Sequence, residues 1–160
     1  MSIFIKERHT CSGTVLSNFW VGTAGHCFEK DLENVKTSDI EVVAGVMNLM
    51  SDDRVKVAVK RIIRHPNYKI VKNEKDVLQE LDWDLALLEL EVSLEIDDNE
   101  KISKAVLPPP AVKHIGKEIT ISGWGRTDQY VGFSLDQILS INVTIKTTED
   151  CLKTFPVNYH

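Results

Sequence analysis

Trp20-Val21-Gly22-Thr23-Ala24-Gly25-His26-Cys27 is the stretch on which the reading of the fold turns. It starts as an apolar, strand-favouring segment. It stops at a histidine and a cysteine, two side chains that can carry chemistry. Working outward, residues 14–16 and 19–22 read as two strands about a turn at Ser17-Asn18. Residues 41–46 and 55–63 are rich in Val and Ile, and Val55, Val57 and Val59 alternate as on a strand with one buried face. Ser51-Asp52-Asp53 between them is a turn signal. Residues 85–90 form a short apolar run fit for a buried strand, and residues 119–122 and 138–145 add two more. Strands at short spacing without long helices argue for an all-β barrel or sandwich.

Three stretches interrupt this pattern. Residues 29–39 are polar and read as a surface excursion. Residues 69–82 are charged and read as a long loop with a little helix. Pro108-Pro109-Pro110 cannot lie inside a sheet or a helix, so residues 97–113 read as a connection between two folded units. The chain has 160 residues, 42% hydrophobic and 27% charged, with a net charge of −5. That is enough apolar material for a core. No basic patch stands out, so nucleic acid is not an expected partner. No apolar run approaches the roughly 18–20 residues of a membrane span, so no membrane partner is expected either. Met1 to Ile5 is apolar but is closed at once by Lys6-Glu7-Arg8, too short for the core of a signal peptide. The cysteines are Cys11, Cys27 and Cys151, and an odd count leaves one unpaired within the chain.

Each chemical feature has a plain reading when taken alone. A histidine beside a cysteine is more often structural than catalytic. In Asp82-Trp83-Asp84-Leu85-Ala86-Leu87-Leu88, an acid at the mouth of a buried strand is commonly a cap. Ser122-Gly123-Trp124-Gly125 follows a strand, and its glycines read as places where a side chain would not fit. A zinc reading of Cys11, His26 and Cys27 lacks a fourth ligand and the usual paired spacing, so no metal or other cofactor is expected.

Taken jointly and in order, these segments resemble the trypsin/chymotrypsin family of serine proteases. Cys11-Ser12-Gly13 is similar to the family's Cys-Gly-Gly. Thr23-Ala24-Gly25-His26-Cys27 is similar to Thr-Ala-Ala-His-Cys. Val42-Val43-Ala44-Gly45 and His65-Pro66-Asn67-Tyr68 match framework motifs. Trp83-Asp84-Leu85-Ala86-Leu87-Leu88 is similar to Asn-Asp-Ile-Ala-Leu-Leu, and Ser122-Gly123-Trp124-Gly125 matches the motif that opens the second barrel. The resemblance implies a double β-barrel with the first barrel nearly complete and the second partial. Residues 1–107 would form the first, 108–117 the Pro-rich connection and 118–160 the incomplete second.

It also implies roles. Peptide hydrolysis by a serine needs a base to take the hydroxyl proton; a histidine can accept it and pass it to the leaving amine, and a buried carboxylate fixes the imidazole tautomer. His26 would be the base and Asp84 the orienting acid, with Asp82 as its competitor. A Cys11–Cys27 disulfide, closing a loop of roughly 15 residues, would contribute about 3 kcal/mol in the chain-entropy model. His9, His65, His114 and His160 take no catalytic role in this reading.

The family's third catalytic residue follows in the order His, Asp, Ser, in Gly-Asp-Ser-Gly-Gly. Nothing after Asp84 resembles it. Ser122 is framework, Ser134 lacks flanking glycines that would form an oxyanion hole, and Ser140 is mid-strand. The Ile-Val-Gly-Gly start of activated members is also missing. The expectation is therefore a chain truncated at both ends, a serine endopeptidase by family but inactive as given. Its full form would be secreted and would act on protein or peptide substrates, with protease inhibitors as further partners. The alternative is a non-catalytic homologue serving as a binding module or decoy. Cys151 would be left unpaired, and Val106 and Ile119 stand where many members carry cysteines. Asn142-Val143-Thr144 is a glycosylation acceptor by pattern, on a predicted strand.

Overall fold

Why the chain folds as it does is clearest at its Val- and Ile-rich segments, which pair into one sheet. The computed structural model describes residues 1–28, 36–75, 78–109, 114–125 and 136–154. The first strands are β1 (Ser2–Ile5), β2 (Arg8–Ser12), β3 (Thr14–Val15), β4 (Trp20–Thr23), β5 (Ile40–Ala44) and β6 (Val55–Arg64). They are followed by β7 (Lys69–Lys72), β8 (Leu78–Asp82), β9 (Ala86–Leu90), β10 (Glu118–Gly123) and β11 (Leu139–Thr144), and then by a helix α1 (Thr148–Thr154). The architecture is all-β, and no described helix is long and apolar enough to cross a membrane.

Seven strands form an antiparallel sheet in the order β2-β1-β5-β6-β9-β4-β3. Its two edge strands, β2 and β3, are consecutive in the chain through Gly13, so the sheet curls into a nearly closed barrel. Gly13 permits this approach: a Cβ there would lie 2.7 Å from Val21 Cγ1. The inward faces of the strands supply the core, with Ile3, Val21, Val42, Val59 and Leu88 fully buried and Phe28 nearly so. Each such side chain contributes about 1.5–3 kcal/mol through removal from water. The β1–β2 turn places both Lys6 and Glu7 at positive φ, 48° and 64°. Two such residues match the twist of a tight hairpin, here without the glycine that would relieve it.

Residues 69–82 depart from the expected loop with a little helix. β7 and β8 pair as an antiparallel ribbon from Lys69↔Asp82 to Lys72↔Leu78. Lys69 Nζ donates to Glu80 across the ribbon at 2.7 Å. The charges that suggested a loop are thus cross-strand partners. The polar stretch 29–39 lies outside the described residues up to position 35; Thr37–Asp39 is a single 3₁₀ turn. Within the stretch 97–113, read as a connection, Ile102 is buried in the barrel core and the Ala105 amide donates to Val15 O at 2.8 Å, so its first part is fastened to the barrel edge. Pro110 lies outside the described residues.

β10 and β11 form a separate two-stranded sheet. Its register puts Ile119 opposite Val143 and Ile121 opposite Ile141, alternating with Thr120 opposite Asn142 and Ser122 opposite Ser140. One face is therefore apolar and the other polar. Asn142 is on the polar face, with its Oδ1 accepting from Thr120 Oγ1 at 2.8 Å. Among the described residues, nothing crowds positions 123 and 125 closely enough to require glycine. A Cβ at Gly123 would come no nearer to any of them than 3.7 Å, to Ser12 Oγ, and one at Gly125 would meet none of them within 4 Å. Trp124 is the buried residue of the three, donating from Nε1 to Met47 O at 2.9 Å.

Trp124 also closes a second small cluster with Val43, Leu49 and the edge of Phe4. His9 sits there edge-on to Phe4 and Trp124, each 6.2 Å between ring centres, with Nδ1 against the buried Ser2 hydroxyl. Burial pushes the His9 pKa below its ordinary value of 6.5. The folded state thus prefers neutral His9, whereas the unfolded chain takes up a proton as pH falls through about 6.5. Stability from this group is present above that pH and is lost on acidification towards the lower folded value. The expected result is a melting temperature that falls between pH 7.5 and 5.5, with the fall reduced in His9→Gln, as checked by thermal unfolding of both proteins at both pH values.

Candidate active site

The site grows from two strand ends. β4 runs from Trp20 to Thr23 and gives way to a 3₁₀ turn, Gly25–Phe28, that carries His26. Its neighbour β9 is entered from Trp83 and Asp84. The register Thr23↔Ala86 brings these two ends side by side. Asp84 then contacts His26 twice: Oδ1 accepts the His26 backbone N–H at 2.8 Å, and Oδ2 lies 2.7 Å from Nδ1. An ionised carboxylate can only accept, so Nδ1 carries a proton, and in the neutral imidazole Nε2 is then the nitrogen with the free lone pair. The Asp84 side chain is 22% exposed and the His26 ring 51%. The acid is thus sheltered while the imidazole faces out. Chemically, the pair is an oriented base aimed at solvent.

Cys11 and Cys27 are joined in a disulfide with Cα atoms 6.2 Å apart, fastening the His26 turn to β2. Cys11, His26 and Cys27 do lie together. With both sulfurs in the disulfide, however, neither is a thiolate able to bind zinc. Asp82, the competing acid, accepts from the Trp83 amide at 2.9 Å and so caps its own turn. Among the described residues His26 hydrogen-bonds to no serine. Ser122 and Ser140 face each other across β10 and β11, and Ser134 lies outside the described residues, as does His160. Cys151 is exposed and free on α1.

The sequence reading missed the supports around this pair. A Cβ at Gly25 would lie 2.8 Å from Tyr68 Cδ2, so the Tyr68 ring rests on the backbone just before His26. Position 25 is where the resembling motif has alanine, and the missing methyl was the available signal. We expect Gly25→Ala to lower stability by about 1–3 kcal/mol, because the ring is held by its own turn and cannot give way freely. Urea unfolding of the two proteins measures it. The second missed contact is His65, whose ring stacks on Trp83 with centres 4.5 Å apart and planes 7° from parallel.

Comparisons with known proteins bear on the family and the fold. The family model described as Trypsin matches residues 1–159. A serine protease of Anopheles gambiae is 35% identical over 147 residues, covering 89% of this chain and 46% of the relative. A trypsin of Phaedon cochleariae is 36% identical over 144 residues, covering 89% and 49%. Transmembrane protease serine 5 of Homo sapiens is 33% identical over 156 residues, covering 94% and 31%. Among solved structures, neuropsin, a serine protease of mouse brain, superposes with a TM-score of 0.75 at 25% identity, covering 97% of this chain and 62% of that one. The chain spans about half the length, or less, of the curated relatives it matches.

Proposed function

Because this chain belongs to the trypsin family of serine proteases, we propose that it supplies the general base and the orienting acid of a serine endopeptidase. His26 takes the proton of a serine hydroxyl through Nε2 and returns it to the leaving amine. Asp84 holds the imidazole in that tautomer and stabilises the imidazolium. The observation that carries the reading is the two-point hold of Asp84 on His26, at backbone N–H and Nδ1 together. A carboxylate that merely capped a turn would need only one of these.

Residues 1–107 act as the unit bearing His26 and Asp84, residues 118–160 belong to a second barrel, and residues 108–117 connect them. The nucleophilic serine, the oxyanion donors and the specificity pocket come from sequence other than these 160 residues, which alone do not hydrolyse peptides. The substrates are proteins or peptides, with protease inhibitors as further partners. The protein works outside the cell, where a Cys11–Cys27 disulfide persists.

The test has two arms. The purified 160-residue chain is treated with a fluorophosphonate probe and with fluorogenic peptides, and the transcript is read past His160. We expect no labelling, no turnover and a reading frame that continues into Gly-Asp-Ser-Gly-Gly. Labelling of a serine in this chain, abolished by His26→Ala, would overturn the claim of inactivity. A stop codon directly after His160 would replace the endopeptidase reading with a binding module or decoy.

A further inference from the structure

We infer that the turn His65-Pro66-Asn67-Tyr68 is a brace that fixes the His26–Asp84 pair, and that the His65–Trp83 stack is its positioning element. The inference rests on the catalytic reading of that pair. The residue before each member of the pair touches this one turn. Tyr68 lies on Gly25, next to His26, and His65 lies on Trp83, next to Asp84.

The stack meets an unusual backbone. Trp83 has φ +50°, a left-handed conformation that is costly for a bulky residue and persists only where its surroundings fix it. The Asp82 carboxylate accepts the Trp83 amide at 2.9 Å. The Leu85 amide donates to Trp83 O at 2.7 Å, closing a three-residue γ-turn with Asp84 at its centre. That turn is tied to the brace from both sides. The His65 amide donates to Leu85 O at 2.9 Å, while the His65 ring covers Trp83. The ring itself is held, because its Nδ1 accepts the Asn67 amide at 3.2 Å. The Tyr68 amide closes the turn on His65 O at 2.9 Å. The strained Trp83 beside Asp84 is thus held by the His65 ring and two hydrogen bonds of its own backbone, and three further hydrogen bonds hold His65 and its turn in place. His65 and Trp83 act on the carboxylate through this backbone and touch no reacting atom.

The Nδ1 proton of His26 reports on the pair directly. In the isotope-labelled 160-residue chain it should give a strongly deshielded resonance that Asp84→Asn abolishes. Trp83→Phe keeps an aromatic face and should leave this resonance and its exchange with water as in the parent. Trp83→Gly removes the ring at a φ that glycine adopts freely, so the fold should survive. Its Nδ1 proton should exchange about three- to tenfold faster, the factor that corresponds to the free energy of an aromatic pair. His65→Ala should do the same, and the double variant should exchange no faster than either single one, as for residues acting through one contact. Amide spectra check that each variant is folded. Parent-like exchange in folded Trp83→Gly and His65→Ala, even with lowered melting temperature, would overturn the positioning role and leave the catalytic pair standing. A parent chain without the deshielded resonance would instead remove the pair, and the brace with it.

Discussion

Replacing Asp84 by asparagine in a full-length form with the proposed endopeptidase activity is expected to lower kcat by about ten-thousandfold, the magnitude of this change in the Ser-His-Asp triad of trypsin-like enzymes. The geometry here says why. The carboxylate accepts twice, from the His26 amide and from Nδ1. An asparagine can still accept from the amide through its carbonyl oxygen, which turns its NH2 towards Nδ1. An NH2 group donates, so Nδ1 must give up its proton and act as acceptor. The proton then sits on Nε2, and the atom that should take the serine proton is already protonated. The backbone hardly moves, so KM should change little while kcat collapses. Asp82→Asn is the matched control. Its side-chain oxygen can still accept the Trp83 amide, and kcat should stay within about threefold of the parent. Steady-state kinetics on one peptide substrate measures all three proteins. A comparable loss in Asp82→Asn, or a loss of less than about tenfold in Asp84→Asn, would assign the orienting role wrongly.

The barrel strands were legible because one buried face gives a clear period of two: Val57 and Val59 are buried, while Lys56 and Lys60 lie outside the core. His26 and Asp84 were legible through motif order alone, since nothing in spacing brings together side chains 58 positions apart. The β7–β8 ribbon was not legible. Its charged residues pair with each other across strands, as Lys69 does with Glu80, and a solvated ribbon carries no apolar period. Gly123 and Gly125 misled for another reason. Glycine next to tryptophan suggested a tight approach, yet the tight glycines are Gly13 and Gly25, where Val21 and Tyr68 close in. The brace could not be read at all. A left-handed Trp83 and a stack between residues in different loops are properties of the assembled backbone, not of any local pattern.

Leu88→Ala is expected to destabilise the barrel by about 3–5 kcal/mol. Leu88 has no exposure to solvent. It sits mid-way along β9, registered with Val21 on β4 and Ile62 on β6, so strands on both sides hold its surroundings in place and limit collapse into the cavity. Such a loss is a large share of the roughly 5–15 kcal/mol that keeps a domain folded, and corresponds to a fall of about 10 °C in melting temperature for a chain of this size. Its neighbour on the opposite face is the control: Leu87 is 39% exposed, and Leu87→Ala should cost less than about 1 kcal/mol. Urea unfolding of the three proteins should show a lower midpoint for Leu88→Ala at an unchanged slope. Equal losses at positions 87 and 88 would mean that β9 does not separate core from surface in this way. The consequence reaches the site, because β4 and β9 meet at Leu88 and carry His26 and Asp84 at their ends. In the Leu88→Ala chain the Nδ1 proton of His26 should therefore exchange faster in step with global unfolding, whereas removing the Trp83 ring speeds that exchange locally.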